Sequence, residues 1–155
     1  TSAVHHTADI AVQCDIIQTD LVGDMLALVF LGGIAHFGGV LVPIKKGCFY
    51  ADLSKNCEAP AIIVSRLGLG TINHTLLTNN FLQSKGIKVL GVILNNNDGT
   101  GDLAAQTNPE ILKRYLDVPL LGIFPYVEGL LKEGMDRELL ATIFEGNIDT
   151  EKLII

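Results

Sequence analysis

The sequence predicts an α/β protein with a doubly wound, mainly parallel sheet. Predicted strands alternate with predicted helices along the chain. The strand segments are continuous apolar runs, which is typical of strands that helices cover on both faces. Polar or glycine-containing loops follow the carboxyl ends of these strands, where sheets of this kind bind ligands.

The predicted strands are short apolar runs bounded by turn signals. They are residues 25–31, 61–65, 88–94 and 120–124, with a short extended piece at 40–44. Pro60 breaks the chain just before the second run. Four glycines crowd residues 32–39, so the backbone there must turn sharply or lie close to another group.

Helices are predicted between these strands. They are residues 4–20, 50–56 and 71–85, a helix that starts at Asn108–Pro109, and one or two closing helices within 130–144. Gly86 ends the helix at 71–85 in the position that glycine prefers. Asn108 and Pro109 have the residue types of a helix cap and a first helical position. The helix at 71–85 carries apolar residues on more than one side, which predicts burial on more than one side.

Composition limits the class of protein. Hydrophobic residues make up 48% of the 155 residues and charged residues 18%, which favours one folded domain over residues 1–155. The net charge of −6 argues against nucleic acid as the main partner. No apolar run reaches the roughly 20 residues that cross a bilayer. We therefore expect a soluble, cytoplasmic chain with no membrane partner.

Cysteine and histidine patterns predict no metal site. Cys14, Cys48 and Cys57 have neither CxxC spacing nor an even count, so a disulfide framework or a zinc site is not expected. The histidines lack metal-ligand spacing, and His5 and His6 are interpreted as polar side chains on the protein surface.

The loop that contains Gly68 and Gly70 is a candidate anion site. A β-branched strand runs into these glycines, and a helix pattern follows directly. The first N–H groups of a helix bind anions, and glycine lets a ligand approach closely. Thr71 and Asn73 are candidate caps of this helix. The same pattern also fits an ordinary strand-to-helix connection that binds nothing.

The segment LGTINHTLLT at residues 69–78 closely resembles the segment of dethiobiotin synthases that receives the substrate carboxylate. Four further segments resemble the same family in the same order. They are residues 38–44 with 50–53, 91–95, 108–112 and 119–126. The resemblance runs from about Gly38 to the C-terminus. It implies a P-loop NTPase-like fold, with this chain similar to the C-terminal two-thirds of the family.

The resemblance also implies a reaction, a ligase step of biotin biosynthesis. The family closes a ureido ring on 7,8-diaminononanoate with carbon dioxide, ATP and Mg²⁺. It implies an acid site formed by the backbone N–H groups of four consecutive residues, which are Gly70, Thr71, Ile72 and Asn73. Asn73 adds its side chain to this site. Gly38 and Gly39 resemble the family's substrate loop near the amines or the carbamate, and a plain sharp turn is the alternative.

Two further site assignments carry alternatives of their own. Asn95, Pro125 and Tyr126 are predicted to recognise the adenine base, because an amide offers it both a donor and an acceptor. Asn95 also begins an ordinary turn-forming string. Asn108 lies at a position that resembles the family's position for a residue that helps to hold the acid across a dimer. The alternative is that Asn108 caps a helix. No catalytic residue is assigned, and His74 is expected to pack or to cap.

The resemblance implies a homodimer in which the acid loop serves the neighbouring subunit. The apolar helix at 71–85 is expected to form part of the interface, with Asn108 near the shared crevice. The expected small-molecule partners are a diamino carboxylic acid and an adenine nucleotide.

Two parts of the family pattern are not found in this chain. It has no GxxxxGK[ST] loop to hold a triphosphate. The family's magnesium-binding glutamate aligns with Ala35 or Leu31, and neither side chain supplies the oxygen ligand that Mg²⁺ needs. We therefore expect that the N-terminal third is absent here. Two functions stay open, namely a dethiobiotin synthase-type enzyme and a non-catalytic carboxylate- and nucleotide-binding remnant or partner subunit.

Overall fold

The computed structural model describes residues 27–30, 34–37, 39–99, 101–128 and 136–153. The helix predicted at 4–20, the pair His5–His6 and Gly38 lie outside these residues. The strands are β1 (Ala27–Phe30), β2 (Ile34–Phe37), β3 (Pro43–Lys45), β4 (Cys48–Phe49), β5 (Ala61–Arg66), β6 (Val89–Asn95) and β7 (Leu120–Phe124). The helices are α1 (Tyr50–Asn56), α2 (Thr71–Ser84), α3 (Leu103–Tyr115) and α4 (Arg137–Asn147), followed by a 3₁₀ turn at Thr150–Leu153.

The main sheet has the strand order β2-β1-β5-β6-β7. β5, β6 and β7 are parallel neighbours, joined by helices, so the predicted α/β architecture is confirmed. β1 runs antiparallel to both β5 and β2. Residues 34–37, which the sequence assigned to a sharply turning stretch, form the edge strand β2. A further two-stranded sheet pairs β3 with β4.

Two apolar layers cover the parallel strands, one on each face. Ile62 and Val64 pack with residues of α4 such as Phe144. Ala61 and Ile63 belong to the opposite layer, which includes residues of α2 and α3. This alternation follows from the two-residue period of a strand. Every residue of β6 is buried, which explains why its sequence is apolar without interruption.

Helix α2 has the predicted position but a different buried face. Its buried residues follow a helical spacing along one side and are mostly polar; they are Thr71, Thr75, Thr78, Asn79 and Leu82. Leu77 is 60% exposed. In the single chain full burial is confined to this side, and the predicted contact of a second side with another subunit stays a prediction. Gly86 follows the helix with a φ of 75°, as its predicted role as a stop requires.

Helix α3 begins five residues before the predicted start at Asn108. The Asp102 side chain accepts a hydrogen bond from the Ala105 N–H at 2.7 Å and caps the helix. Pro109 lies inside the helix. The prediction was wrong because Asp102 is an equally good cap and is followed by residues that favour helix. Asn108 is therefore in the middle of α3.

The closing helix α4 lies within and just beyond the predicted range. Asp136 caps it by accepting a hydrogen bond from the Glu138 N–H. Among the described residues, none of the helices combines the length and apolar character that a bilayer crossing requires.

Candidate functional site

The loop between β5 and α2 has the backbone geometry of an open helix N-terminus. Gly70 precedes α2 with a φ of 88°, and no side chain caps the helix there. A β-carbon at Gly70 would lie 3.3 Å from Arg66 Nη2, so both conformation and space favour glycine. The predicted capping roles of Thr71 and Asn73 are wrong. The loop nevertheless presents N–H groups of the first turn of α2, of which that of Thr71 also donates to the Gly68 carbonyl oxygen at 3.4 Å.

Thr71 is buried instead, in a chain of hydroxyl groups beneath the loop. Its Oγ1 lies 3.3 Å from Thr75 Oγ1, and Thr75 donates to Ser65 Oγ at 2.7 Å. All three residues are at most 2% exposed. Because Ser65 belongs to β5, these hydrogen bonds fix the first turn of α2 to the sheet.

Asn108 contacts the same loop from α3. Its Nδ2 donates to the carbonyl oxygens of Leu67 at 3.0 Å and of Gly68 at 2.9 Å. The Leu67 N–H donates in turn to the Asn95 carbonyl oxygen at 2.9 Å. The loop is therefore attached to both α3 and the end of β6. Whether Asn108 touches an acid stays a prediction.

Arg66 supplies a positive charge next to this loop. Its Nη2 donates to the carbonyl oxygen of Leu69. Arg66 is also the register partner of Asn95 in the parallel ladder. A guanidinium in this position favours an anion at the loop.

The predicted adenine-binding residues lie at one edge of the sheet. Asn95 ends β6 and pairs with Phe124, after which Pro125 and Tyr126 follow directly. The Asn95 side chain is buried, and its Oδ1 has no hydrogen-bond partner among the residues that the structure describes. Tyr126 is 48% exposed. A buried amide oxygen without a partner is the group that an exocyclic amine of a base would satisfy.

Tyr126 also contacts the loop after β6. A β-carbon at Gly99 would lie 3.0 Å from Tyr126 Cδ1, so the tyrosine ring lies against this glycine. The Gly99 N–H donates to Asn96 Oδ1 at 3.1 Å, which closes a turn. The structure thus contains the turn that the sequence offered as one alternative for Asn95 and its neighbours, and base recognition stays a prediction.

Gly39 lies in a hydrogen-bonded turn. The Val42 N–H donates to the Gly39 carbonyl oxygen at 3.0 Å, and a β-carbon at Gly39 would meet nothing within 4 Å. Neither observation requires glycine here. Its predicted approach to the substrate stays a prediction, and Gly38 lies outside the described residues.

The described residues do not fit a magnesium site. Ala35, one of the two positions that align with the family's glutamate, is in β2. No group of three His, Cys, Asp or Glu side chains that could hold a metal ion is present in the part of the chain that the structure describes.

Sequence reasoning missed the contacts that support the loop. Ser65 and Thr75 are ten residues apart, and Asn108 is 40 residues from Gly68. A buried polar residue near the end of an apolar strand, as at Ser65, was the available signal. His74 is exposed, and its N–H donates to the Gly70 carbonyl oxygen at 3.3 Å within the first turn of α2.

A family model described as an AAA domain matches residues 21–134. This match covers most of the chain and agrees with the parallel α/β sheet and its loops at the strand ends. The chain therefore belongs to the class of α/β proteins that this AAA domain model describes.

Relatives give the family within that class. The chain is 44% identical over 91 residues to the ATP-dependent dethiobiotin synthetase of Bacillus licheniformis, covering 59% of this chain and 39% of the relative. It is 43% identical over 125 residues to that of Thermodesulfovibrio yellowstonii, covering 76% and 50%. The Methanococcus vannielii protein is 62% identical over 58 residues, covering 37% and 28%. The chain belongs to the dethiobiotin synthetase family, and it spans half or less of the length of these relatives.

Proposed function

We propose that this chain binds 7,8-diaminononanoate and an adenine nucleotide as part of an ATP-dependent dethiobiotin synthetase. The observation that carries the proposal is the open N-terminus of α2, where Gly70 adopts a left-handed conformation and no side chain caps the helix. The relatives' name supplies the reaction class. Because the reaction uses ATP, we place it in the cytoplasm.

The acid carboxylate is proposed to bind at the start of α2. Backbone N–H groups of Gly70, Thr71, Ile72 and Asn73 would face it, and the Asn73 side chain, which is exposed, would add a donor. The positive end of the helix dipole and the charge of Arg66 both favour a carboxylate at this end. These groups bind and orient the acid and leave its amines free.

The nucleotide base is proposed to bind at the edge formed by Asn95, Pro125 and Tyr126. Asn95 Oδ1, which has no hydrogen-bond partner among the described residues, would accept from the exocyclic amine of adenine. The half-exposed Tyr126 ring offers an apolar surface beside it. Because Arg66 and Asn95 are ladder partners, the acid loop and the base edge lie on neighbouring strand ends.

In the proposed reaction, one amine of the acid adds carbon dioxide to give a carbamate. The carbamate receives the γ-phosphoryl group of ATP, and the second amine then attacks its carbon to close the ring and release phosphate. Catalysis of this kind depends mainly on positioning and on charge stabilisation. The residues described here would contribute positioning through the acid loop and the base edge.

Binding and turnover must be measured separately, because the 155 residues contain no GxxxxGK[ST] loop. Titration calorimetry of the chain with 7,8-diaminononanoate and with ATP is expected to show binding of both. Asn73→Ala should weaken acid binding about tenfold. Asn80→Ala, which removes an exposed asparagine from the same helix, is the matched control. Unchanged acid affinity in Asn73→Ala would count against the site.

A turnover assay then separates the two candidate functions. Formation of dethiobiotin and phosphate by this chain supports the enzyme. Acid and nucleotide binding without turnover supports the non-catalytic binding domain or a partner subunit.

The proposed assembly is a homodimer built partly on α2. Leu69, in the loop before α2, and Leu77, on α2, are 79% and 60% exposed, which leaves apolar surface for a second copy. Leu77→Asp is expected to shift the chain toward monomer in sedimentation velocity. A stable monomer of the unmutated chain at tens of micromolar, with acid present, would contradict the dimer.

A further inference from the structure

We propose that Asn108 is a positioning residue: it fixes the orientation of the acid-binding loop through hydrogen bonds from α3 and does not itself hold the acid. This inference rests on the proposed binding of the acid. Its claim that Asn108 orients the loop can be tested without ligand. Asn108 is 5% exposed and lies in the middle of α3. A side-chain amide nitrogen carries two protons, and the structure directs these at two consecutive carbonyl oxygens of the loop, those of Leu67 and Gly68.

Those two hydrogen bonds determine where the Gly68 and Leu69 N–H groups point, directly before the N–H groups of Gly70–Asn73 that are proposed to face the acid. In a planar trans peptide, the C=O and N–H point in opposite directions. The Leu67 carbonyl shares its peptide with the Gly68 N–H, and the Gly68 carbonyl shares its peptide with the Leu69 N–H. Because Asn108 holds both carbonyls toward α3, the two N–H groups are turned away from α3. Glycine at position 68 offers little resistance to rotation of these peptides, so an external restraint is needed.

The loop is restrained at its other end as well. The Leu67 N–H donates to the Asn95 carbonyl oxygen, at the end of β6. Leu67 therefore makes one hydrogen bond to the base edge and accepts one from Asn108. Removing the Asn108 amide leaves the first bond in place, frees the Leu67 carbonyl, and leaves the Gly68 carbonyl with only the 3.4 Å hydrogen bond from the Thr71 N–H. We therefore expect acid binding to weaken more than nucleotide binding when Asn108 is changed.

Hydrogen exchange in the ligand-free chain tests the positioning role. Asn108→Ala should raise the exchange rates of the hydrogen-bonded Thr71 and His74 amides, which donate to the Gly68 and Gly70 carbonyl oxygens, about tenfold or more relative to the unmutated chain. Gln106→Ala is the matched control, because Gln106 is an amide on the same helix that donates to the Gly101 carbonyl oxygen and not to this loop. Unchanged exchange at the loop in Asn108→Ala would overturn the proposal, whatever the ligand measurements show.

Titration of the same variants tests the link to function. In Asn108→Ala, affinity for 7,8-diaminononanoate should fall about tenfold while affinity for ATP stays within about twofold. Equal losses for both ligands would indicate a general structural role and would overturn the proposal. If the unmutated chain binds no acid although exchange responds to Asn108→Ala, the proposed function fails and the positioning of the loop stands.

A measurement on the unmutated chain covers the case in which Asn108→Ala does not fold. Couplings across hydrogen bonds should connect the Asn108 side-chain nitrogen to the carbonyl carbons of Leu67 and Gly68. Their detection supports the proposal. Rapid solvent exchange of the Asn108 side-chain protons, without such couplings, would overturn it.

Discussion

Thr75 donates its hydroxyl proton to Ser65 Oγ across 2.7 Å and thereby joins α2 to β5. Both side chains are buried, and Thr71 Oγ1 lies 3.3 Å from Thr75 Oγ1 on the opposite side. The helix that carries the candidate acid site is therefore held to the sheet by hydroxyl groups where apolar side chains would be usual. A hydroxyl hydrogen bond has a defined direction, so it fixes the rotation of the helix as well as its distance from the sheet.

Thr75→Val should lower the free energy of unfolding by about 1–3 kcal/mol, because it leaves the Ser65 hydroxyl buried without its donor. Thr75→Ser keeps the hydroxyl and should cost less. Urea unfolding measures both. Thr107→Val is a suitable control, since Thr107 is exposed and bonds only within α3. Equal losses in Thr75→Val and Thr107→Val would contradict the role of the buried pair.

Replacing Gly122, in β7, and Gly146, in α4, by alanine should change the stability of the fold in opposite directions. Gly122 has a φ of 154°, and a β-carbon there would lie 2.1 Å from the Asn147 carbonyl oxygen. Gly122→Ala should therefore cost about 3 kcal/mol of stability or prevent folding. A β-carbon at Gly146 would meet nothing within 4 Å, and this glycine lies in α4. Gly146→Ala should raise stability by about 0.5–1 kcal/mol.

Thermal or urea unfolding of the two variants checks this pair. Each variant serves as a comparison for the other, since both positions lie at the C-terminal end of α4. A Gly122→Ala protein as stable as the unmutated chain would show that the Asn147 carbonyl oxygen does not lie against Gly122.

Gln83 is predicted to control the acidity of Asp117. Hydrogen bonds from Gln83 and then from Asn79 lower the pKa of the Asp117 carboxyl below its ordinary value of 3.8. Gln83→Ala should raise the pKa of Asp117 back toward that value, because it removes the larger of the two contributions. An NMR titration of the Asp117 carboxyl carbon measures this, with Gln106→Ala as the control that leaves it unchanged.

The same contact gives a pH dependence with a defined sign. Between the folded and unfolded pKa values the unfolded chain binds more protons, so stability rises with pH there. The stabilisation by Gln83 is therefore fully present above pH 3.8 and is lost as the pH falls through the lowered pKa of the folded protein. A stability difference between the unmutated chain and Gln83→Ala that grew on acidification would contradict this account.

The parallel core could be predicted because β5 and β6 carry apolar residues on both faces, a pattern that surface strands do not show. The position of Asn95 at the carboxyl end of a buried strand followed from the same rule, and its predicted role in ligand binding stays a prediction. In both cases, the information is local in sequence.

The start of α3 and the role of Asn108 could not be predicted in this way. Asn108–Pro109 has the local signature of a helix start, and so has Asp102 with the residues after it. What distinguishes them is the contact of Asn108 with Leu67 and Gly68, which depends on how α3 packs against the loop. The antiparallel partner of β1 depends likewise on pairing between distant segments and has no local signal.

Asn95→Leu should separate folding from nucleotide recognition. In the ligand-free chain Asn95 Oδ1 is buried without a hydrogen-bond partner among the described residues, and such a group costs stability. Leucine has a similar volume and no polar atom, so the substitution should raise the free energy of unfolding by about 1 kcal/mol. It also removes both groups that would pair with adenine, so affinity for ATP should fall about tenfold or more. Calorimetry with ATP and urea unfolding measure the two effects, and Asn97→Leu, at an exposed position of the same loop, should change neither by a comparable amount. If Asn95 serves only the turn after β6, Asn95→Leu will leave ATP affinity unchanged, and that result would contradict the base-recognition edge.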